Sequence, residues 1–113
     1  MDHVMFIQKV CPEKKEEYIQ AHRHVWPELL KAHRNAGIER EIIWIQGDTL
    51  YLYIMAQDFD KALDNMGKET IFQRWIEKMT PLLSDIQDYS EDGKIVKLDK
   101  VFDLEEQLMK INE

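Results

Sequence analysis

Hydrophobic side chains recur with two different periods along the first part of the chain. Residues 3–10, HVMFIQKV, carry apolar side chains at even spacing, which predicts a first strand. Pro12 and the glutamates after it predict the start of a helix, because proline suits a first helical turn and negative charge suits its positive end. Apolar and aromatic positions then recur at helical spacing from Tyr18 to His33, and the helix is predicted to close at Gly37.

This predicted helix contains Pro27 in its interior. Proline removes an amide donor and disfavours the helical conformation at the preceding residue, Trp26. A kink or a restart of the helix is therefore expected at residues 25–26.

Two strand-like runs follow in the middle of the chain. Residues 38–46, IEREIIWIQ, and residues 49–56, TLYLYIMA, flank Gly47-Asp48, a pair typical of a tight hairpin. The second run alternates strictly, so both of its faces are predicted to be covered. One face would carry Leu50, Leu52 and Ile54, and the other Tyr51, Tyr53 and Met55.

The remaining residues predict further helices and a final strand. Residues 58–67 and 69–83 carry apolar stripes at helical spacing, and residues 84–93 form a polar loop. Residues 94–103, KIVKLDKVFD, are predicted to be the last strand. Residues 105–113 are interpreted as a short charged helix or a frayed tail.

The predicted order is strand, helix, strand, strand, helix, strand, and it spans residues 1–113 as a single domain. This is the split βαβ pattern of a ferredoxin-like α+β sandwich, in which helices cover only one face of the sheet. If Tyr51, Tyr53 and Met55 lie on the uncovered face, a second copy of the same sheet is the simplest cover for them. The sequence thus predicts a homodimer in the form of a dimeric α/β barrel.

Composition narrows the choice of partners and location. The chain has 22 acidic and 15 basic residues, a net charge of −7, which disfavours binding to nucleic acid or to anionic membranes. Cys11 is the single cysteine, and the N-terminal residues lack the features of a signal peptide. A cytoplasmic protein is expected.

Candidate chemistry is concentrated in the first helix. Tyr18 and His22 are four residues apart, so their side chains leave the same helical face one turn apart, and Trp26 would follow if the kink permits. A phenol, an imidazole and an indole in this order suit a sugar, with a proton-transfer group beside a flat apolar wall. The alternative interpretation is that they are core residues with satisfied hydrogen bonds. His24 points elsewhere and is interpreted as a solvated residue.

A metal site is not predicted. His22, His24, His33 and Glu28 are potential ligands, but helical zinc motifs place paired histidines four residues apart. The four glycines of the sequence also do not form a glycine-rich phosphate cradle.

Three segments of the chain resemble the L-rhamnose mutarotase family, and they occur in the expected order over nearly its full length. They are Glu17-Tyr18-x-x-x-His22-x-x-x-Trp26-Pro27-Glu28-Leu29 followed by Gly37, Gln73-Arg74-Trp75-x-x-x-Met79, and Val101-Phe102-x-Leu104. The resemblance implies a dimeric α/β-barrel enzyme without cofactor that interconverts the α and β anomers of a 6-deoxyhexose. It also implies that His22 is the general acid/base and that Tyr18 binds the sugar.

The resemblance also implies a role for one of the tryptophans. Trp75, which belongs to the second segment, is interpreted as a platform for the apolar face of the sugar. Trp44, which lies outside these segments, is interpreted as a core residue.

Two departures from the family pattern concern the substrate. Rhamnose-type members usually have tandem tryptophans where Trp75 is followed by Ile76, and commonly a tyrosine where this chain has Glu41. The chain is somewhat more similar to an L-fucose subgroup in Gly37-Ile38-Glu39 and in having the single Trp75 after Gln73-Arg74. L-Rhamnose is favoured only slightly over L-fucose.

Imidazole suits the chemistry, because opening a hemiacetal requires one proton to be delivered and another removed near neutral pH. The second proton-transfer group stays open among Glu41, a tyrosine and a bound water.

Two other functions are compatible with the predicted fold, namely a cofactor-free monooxygenase-like enzyme and a non-catalytic small-metabolite-binding module.

Overall fold

A computed structural model describes residues 1–90 and 93–112. Residues 91–92 of the predicted loop and residue 113 of the predicted tail lie outside the described residues. Single 3₁₀ turns occupy Pro12–Lys14 and Thr80–Leu82. The strands and helices are β1 (Asp2–Val10), α1 (Lys15–Arg23), α2 (Pro27–Ala36), β2 (Ile38–Gln46), β3 (Thr49–Ala56), α3 (Phe59–Gly67), α4 (Thr70–Met79), β4 (Leu83–Asp85) and α5 (Leu104–Asn112).

The four strands form one antiparallel sheet in the order β2-β3-β1-β4. This order, together with the helices between the strands, confirms the predicted ferredoxin-like α+β sandwich. Phe6 of β1 pairs with Leu52 of β3, which pairs with Ile43 of β2, so these side chains share one face. The core lies between this face and the helices, where Leu29, Met66 and Trp75 are buried.

The predicted interruption of the first helix is confirmed. α1 ends at Arg23, Trp26 has an extended backbone with φ −58° and ψ 129°, and α2 begins at Pro27. The Trp26 carbonyl accepts the first hydrogen bonds of α2, from the Leu29 and Leu30 amides. Gly37, at φ +112°, closes α2 in the left-handed conformation that glycine adopts without strain.

The other face of the sheet carries a row of partly exposed apolar and aromatic side chains. Tyr51, Tyr53 and Met55 alternate with the buried leucines and isoleucine of β3 and are partly exposed, as their predicted place on the uncovered face requires. Trp44 pairs with Tyr51 and is 52% exposed. The prediction that Trp44 is a core residue is therefore wrong, because its strand register turns it away from the helices.

The predicted last strand is also wrong. Strand β4 is Leu83–Asp85, in a stretch that the sequence pattern assigned to the end of a helix and to a loop. Residues 94–103 form only an isolated bridge between Lys97 and Phe6, with a hydrogen bond of 2.8 Å from the Leu98 amide to the Met5 carbonyl. Helix α4 ends earlier than predicted, at Met79, and a 3₁₀ turn containing Pro81 follows it.

A side chain explains why residues 94–103 do not form a regular strand. The Gln87 carboxamide donates to the Ile7 carbonyl at 3.0 Å and accepts from the Val96 amide at 2.8 Å. It thus occupies part of the β1 edge with which residues 94–103 would have to pair to form a regular strand. Helix α5 follows with none of its described residues buried, and Leu108, Met109 and Ile111 are exposed.

Candidate active site

The predicted site residues Tyr18, His22 and Trp75 lie together. The Tyr18 and His22 ring centroids are 4.2 Å apart on α1, and the Trp75 ring of α4 meets His22 edge-on at 5.3 Å. Trp26 packs perpendicular to Trp75 at 5.2 Å, so the break between α1 and α2 brings it to the same cluster. Tyr18 is 4% exposed and Trp75 is 7% exposed, whereas His22 is half-buried.

The protonation of His22 is constrained by its own helix. Its Nδ1 lies 2.9 Å from the Tyr18 carbonyl oxygen, which can only accept, so Nδ1 carries a proton and donates it. Among the described residues no hydrogen bond uses Nε2. Burial is the largest effect and lowers the pKa of His22. The hydrogen bond to the Tyr18 carbonyl and the charge of Glu41 act in the opposite direction, and the charge of Lys78, the smallest effect, adds to the lowering. At neutral pH His22 is therefore a neutral base at Nε2.

A second histidine lies on the next helix and was not recognised as a site residue from the sequence. His33 of α2 approaches Glu41 of β2, with 3.3 Å between Nε2 and Oε1, and the two side chains are 22% and 25% exposed. Its Nδ1 lies 2.7 Å from the Leu29 carbonyl oxygen. Burial alone would lower the pKa of His33, but the hydrogen bond and charge of Glu41 outweigh it and raise that pKa.

A bulge in β2 explains why Glu41 faces the helices. Ile38 pairs with Ala56, but the next pairs are Arg40 with Met55 and Glu41 with Ile54, so one extra residue is inserted at this point. A bulge of this kind reverses which side chains point to which face. Glu41 is thereby turned from the open face of the sheet to the side where α2 supplies His33.

These groups line two neighbouring spaces, a small inner cavity and a larger outer cleft. The inner cavity has a volume of about 70 Å³ and is lined by Tyr18, His22, His33, Glu41, Trp75 and Ile76, among others. An outer cleft of about 600 Å³ shares His22, His33, Glu41 and Trp75 with it. The outer volume is within the range of small-molecule sites, and the inner one is large enough for a single substituent or a few waters.

Two tyrosines add hydroxyl groups to the cavity wall. The Tyr89 hydroxyl donates to the buried Gln8 side chain at 2.8 Å. In residues 1–90 and 93–112, none of the hydrogen bonds involves the Tyr18 hydroxyl. Burial, with a smaller effect of Glu41, raises the pKa of both phenols, so both are neutral hydrogen-bonding groups at physiological pH.

The remaining candidate ligands do not converge. His24 and Glu28 are exposed at the break between α1 and α2, which agrees with the interpretation of His24 as solvated. Over the described part of the chain, no three histidine, cysteine or acidic side chains lie close enough to hold a metal ion. Over the same residues, none of the helices has the length and apolar character to cross a membrane.

Comparison with known proteins identifies the family of the chain. A profile of the L-rhamnose mutarotase family matches residues 3–104. The chain belongs to that family. Mutarotases are isomerases, so the chain is an enzyme of the isomerase class. The family match ends where α5 begins, so nearly all of α5 lies beyond it.

A curated member of the family agrees with this assignment, and solved structures share the fold. The L-rhamnose mutarotase of Burkholderia orbicola is 30% identical over 108 residues, which cover 93% of this chain and 100% of that protein. The crystal structure of an L-rhamnose mutarotase from Formosa agariphila has a TM-score of 0.73 at 19% identity, covering 92% of this chain and 99% of the other. A putative antibiotic biosynthesis monooxygenase from Nitrosomonas europaea reaches a TM-score of 0.60 at 15% identity, covering 90% and 100%. At these low sequence identities, the structural similarities show only that the proteins share a fold.

Proposed function

We propose that this mutarotase interconverts the α and β anomers of a 6-deoxyhexose, with L-rhamnose slightly favoured over L-fucose. The observation that carries the proposal is the neutral imidazole of His22, which lies between Tyr18 and Trp75 at the cavity and whose Nε2 makes no hydrogen bond within residues 1–90 and 93–112. The family to which the chain belongs supports the same reaction.

In the proposed reaction His22 is the general acid/base. Its Nε2 takes the proton of the anomeric hydroxyl while the ring oxygen gains a proton and the bond between that oxygen and C1 breaks, with the electron pair going to the oxygen. The open aldehyde rotates about the C1–C2 bond and closes on its other face, which returns both protons. The same C–O bond is broken and formed, so the reaction needs no redox cofactor.

Tyr18 and Trp75 are proposed to bind the sugar. The Trp75 indole offers an aromatic wall for the apolar face or the methyl group of a deoxysugar. The Tyr18 phenol, which stays neutral at physiological pH, can donate to and accept from a sugar hydroxyl. Placing the sugar in the outer cleft with one substituent in the inner cavity would be consistent with both volumes.

The preference between L-rhamnose and L-fucose depends on the hydroxyl groups. The two sugars differ in hydroxyl stereochemistry, so a site with polar groups of fixed position discriminates by leaving a polar group unpaired. Ile76 and Glu41 both line the inner cavity, at the two positions where the sequence departs from rhamnose-type members. For this reason L-rhamnose is favoured by only a small margin.

The test is to measure the rate of exchange between anomers by selective-inversion NMR, with and without the protein. L-Rhamnose, L-fucose and D-glucose are compared at equal concentration, temperature and pH. We expect acceleration for the two deoxysugars and the largest rate for L-rhamnose. Fastest exchange of D-glucose, or no acceleration of either deoxysugar, contradicts the proposal.

The same measurement separates the two alternatives. A non-catalytic binding module would broaden the sugar resonances without accelerating exchange. A monooxygenase-like enzyme, which a shared fold alone supports, would consume an oxidisable substrate and oxygen and leave the anomers unaffected.

We also propose a homodimer in which the open sheet faces of two copies pack together as a dimeric α/β barrel. Trp44, Tyr51, Tyr53 and Met55 form a partly exposed apolar surface on this face. A surface of this kind favours association, and a two-fold axis is the commonest way to close it.

Sedimentation velocity at micromolar concentration tests the dimer. Trp44→Glu places a charge on the face proposed to form the interface and should yield a monomer. Met109→Glu on α5, another exposed apolar position, is the matched control and should remain dimeric. A monomeric parent protein, or dissociation by Met109→Glu alone, rejects this interface.

A further inference from the structure

The contact between His33 and Glu41 requires a proton that the two side chains share. Nδ1 of His33 donates to the Leu29 carbonyl oxygen at 2.7 Å, so Nε2 is the atom that faces Glu41 Oε1 at 3.3 Å. A neutral imidazole at this tautomer has only a lone pair at Nε2, and an ionised carboxylate has only lone pairs as well. The contact is therefore favourable when one proton is shared by the pair.

The pair lies in the same cavity as His22. Residues His22, Tyr18, His33 and Glu41 all line the inner cavity, and both histidines and Glu41 also line the outer cleft. The shared lining brings the Glu41 carboxylate to the cavity side of α1, and in agreement with this its charge acts to raise the pKa values of both Tyr18 and His22.

From this geometry we propose that the His33–Glu41 pair is the second proton-transfer group of the site, acting as the acid while His22 acts as the base. This inference rests on the proposed mutarotase function and identifies the residues that complete it. The pair gives its shared proton to the ring oxygen as the bond from that oxygen to C1 breaks, and His22 Nε2 takes the proton of the anomeric hydroxyl. Ring closure returns each proton to its source, so both groups are regenerated in every turnover.

The protonation states agree with this division of labour. Burial lowers the pKa of His22, which keeps it neutral and able to accept, whereas Glu41 raises the pKa of His33 against the effect of burial, which keeps the pair protonated and able to donate. Two groups whose environments separate their proton affinities in this way are a common arrangement for acid and base catalysis.

Other titratable and charged groups line the same cavity and cleft as the pair, including Lys31 and Glu39 at the outer cleft. Tyr18 and His22 of α1 and Tyr89 line the inner cavity. Arg34 of α2 and Arg40 of β2 line the outer cleft, and the charge of Lys78 of α4 acts on His22. A limb of the profile of exchange rate against pH can therefore be attributed to the pair only if that limb changes when His33 or Glu41 is substituted.

The experiment uses Glu41→Gln, which keeps the shape of the side chain and a hydrogen bond to His33 but removes the group that shares the proton. The exchange rate of L-rhamnose anomers is measured from acid to alkaline pH in the full-length protein. We expect kcat to fall by about 10² to 10³, within the usual range for loss of a general acid. The KM should change little, and the alkaline limb of the profile should move to lower pH.

Two further variants make the result interpretable. Glu41→Asp retains a carboxylate and should retain the alkaline limb, although at a reduced rate. His24→Gln alters an exposed histidine outside the cavity and should leave both rate and profile unchanged. Thermal unfolding confirms that each variant is folded at the assay temperature.

The possible outcomes are distinct. If folded Glu41→Gln exchanges anomers within threefold of the parent rate with an unchanged profile, the pair is only structural and the inference is wrong. A higher KM with unchanged kcat makes Glu41 a sugar-binding residue and rejects it as part of the acid. Absence of exchange in the parent protein rejects the proposed function, and this inference with it.

Discussion

The last turn of α1 and the last turn of α2 carry histidines with the same local geometry and opposite proton affinity. His22 and His33 each donate Nδ1–H to the carbonyl oxygen four residues earlier, at 2.9 and 2.7 Å. His22 then meets the rings of Tyr18 and Trp75, whereas His33 meets the carboxylate of Glu41. The helix determines which nitrogen is available, and the neighbour across the cavity determines whether that nitrogen carries a proton.

The largest effect that this comparison predicts is on catalysis. His22→Ala removes the proposed base and should slow anomer exchange by about 10² to 10⁴, the usual contribution of general acid/base catalysis. Selective-inversion NMR measures the rate, with sedimentation and circular dichroism to confirm the fold and assembly. His24→Ala is the matched control, since His24 is an exposed histidine two positions away. Exchange at the parent rate in a folded His22→Ala protein removes His22 from the mechanism.

A smaller effect is expected on stability, where the two histidines act in opposite directions with pH. The raised pKa of His33 contributes stability that is fully present below the unfolded value of about 6.5 and is lost as pH rises through the folded value. The lowered pKa of His22 has the reverse sign, so this residue destabilises the fold as pH falls below about 6.5.

Two variants separate these contributions. Glu41→Gln should lower the free energy of unfolding by on the order of 1 kcal/mol at acid pH, because the variant lacks the ion pair that the parent forms there. At alkaline pH the difference should be much smaller. His22→Ala should lose less stability than the parent between alkaline and acid pH, because the variant lacks the histidine whose protonation the fold opposes. Thermal unfolding between pH 5 and pH 9 measures both. Parallel curves of melting temperature against pH for the parent and Glu41→Gln contradict the assigned role of Glu41.

The smallest and most direct effect is on the titration of each ring. In the parent protein the Cε1–H resonance of His22 should titrate below the ordinary histidine pKa of about 6.5 and that of His33 above it. In Glu41→Gln the pKa of His33 should fall, because burial then acts without the opposing carboxylate. Equal pKa values for His22 and His33 would remove the basis of the comparison.

Several features of the site could be predicted from local sequence because they depend on helical spacing. Tyr18 and His22 are one turn apart on any α-helix, and Pro27 forces a break that carries Trp26 toward Trp75. The alternation in β3 likewise predicted its two faces, since side chains of a strand alternate without reference to the rest of the fold.

The errors occurred where a partner far along the chain determines the outcome. Residues 94–103 have the composition of a strand, but Gln87 takes hydrogen bonds at the β1 edge that they would have needed. Trp44 looks like a core residue by its chemistry, and only its pairing with Tyr51 shows that it faces away from the helices. Propensity is a weak guide in both cases because tertiary contacts override it.

The sequence by itself determined the order of the main elements, the ferredoxin-like fold and the alignment of Tyr18 with His22, because each follows from periodicity over a few turns or from a recognisable motif. Only the tertiary structure decided that Glu41 meets His33. The bulge between Ile38 and Arg40 shifts the register of β2 by one residue, and a one-residue shift moves every following side chain to the other face. A bulge depends on the pairing of β2 with β3, so no reading of IEREIIWIQ alone could place the carboxylate beside the imidazole.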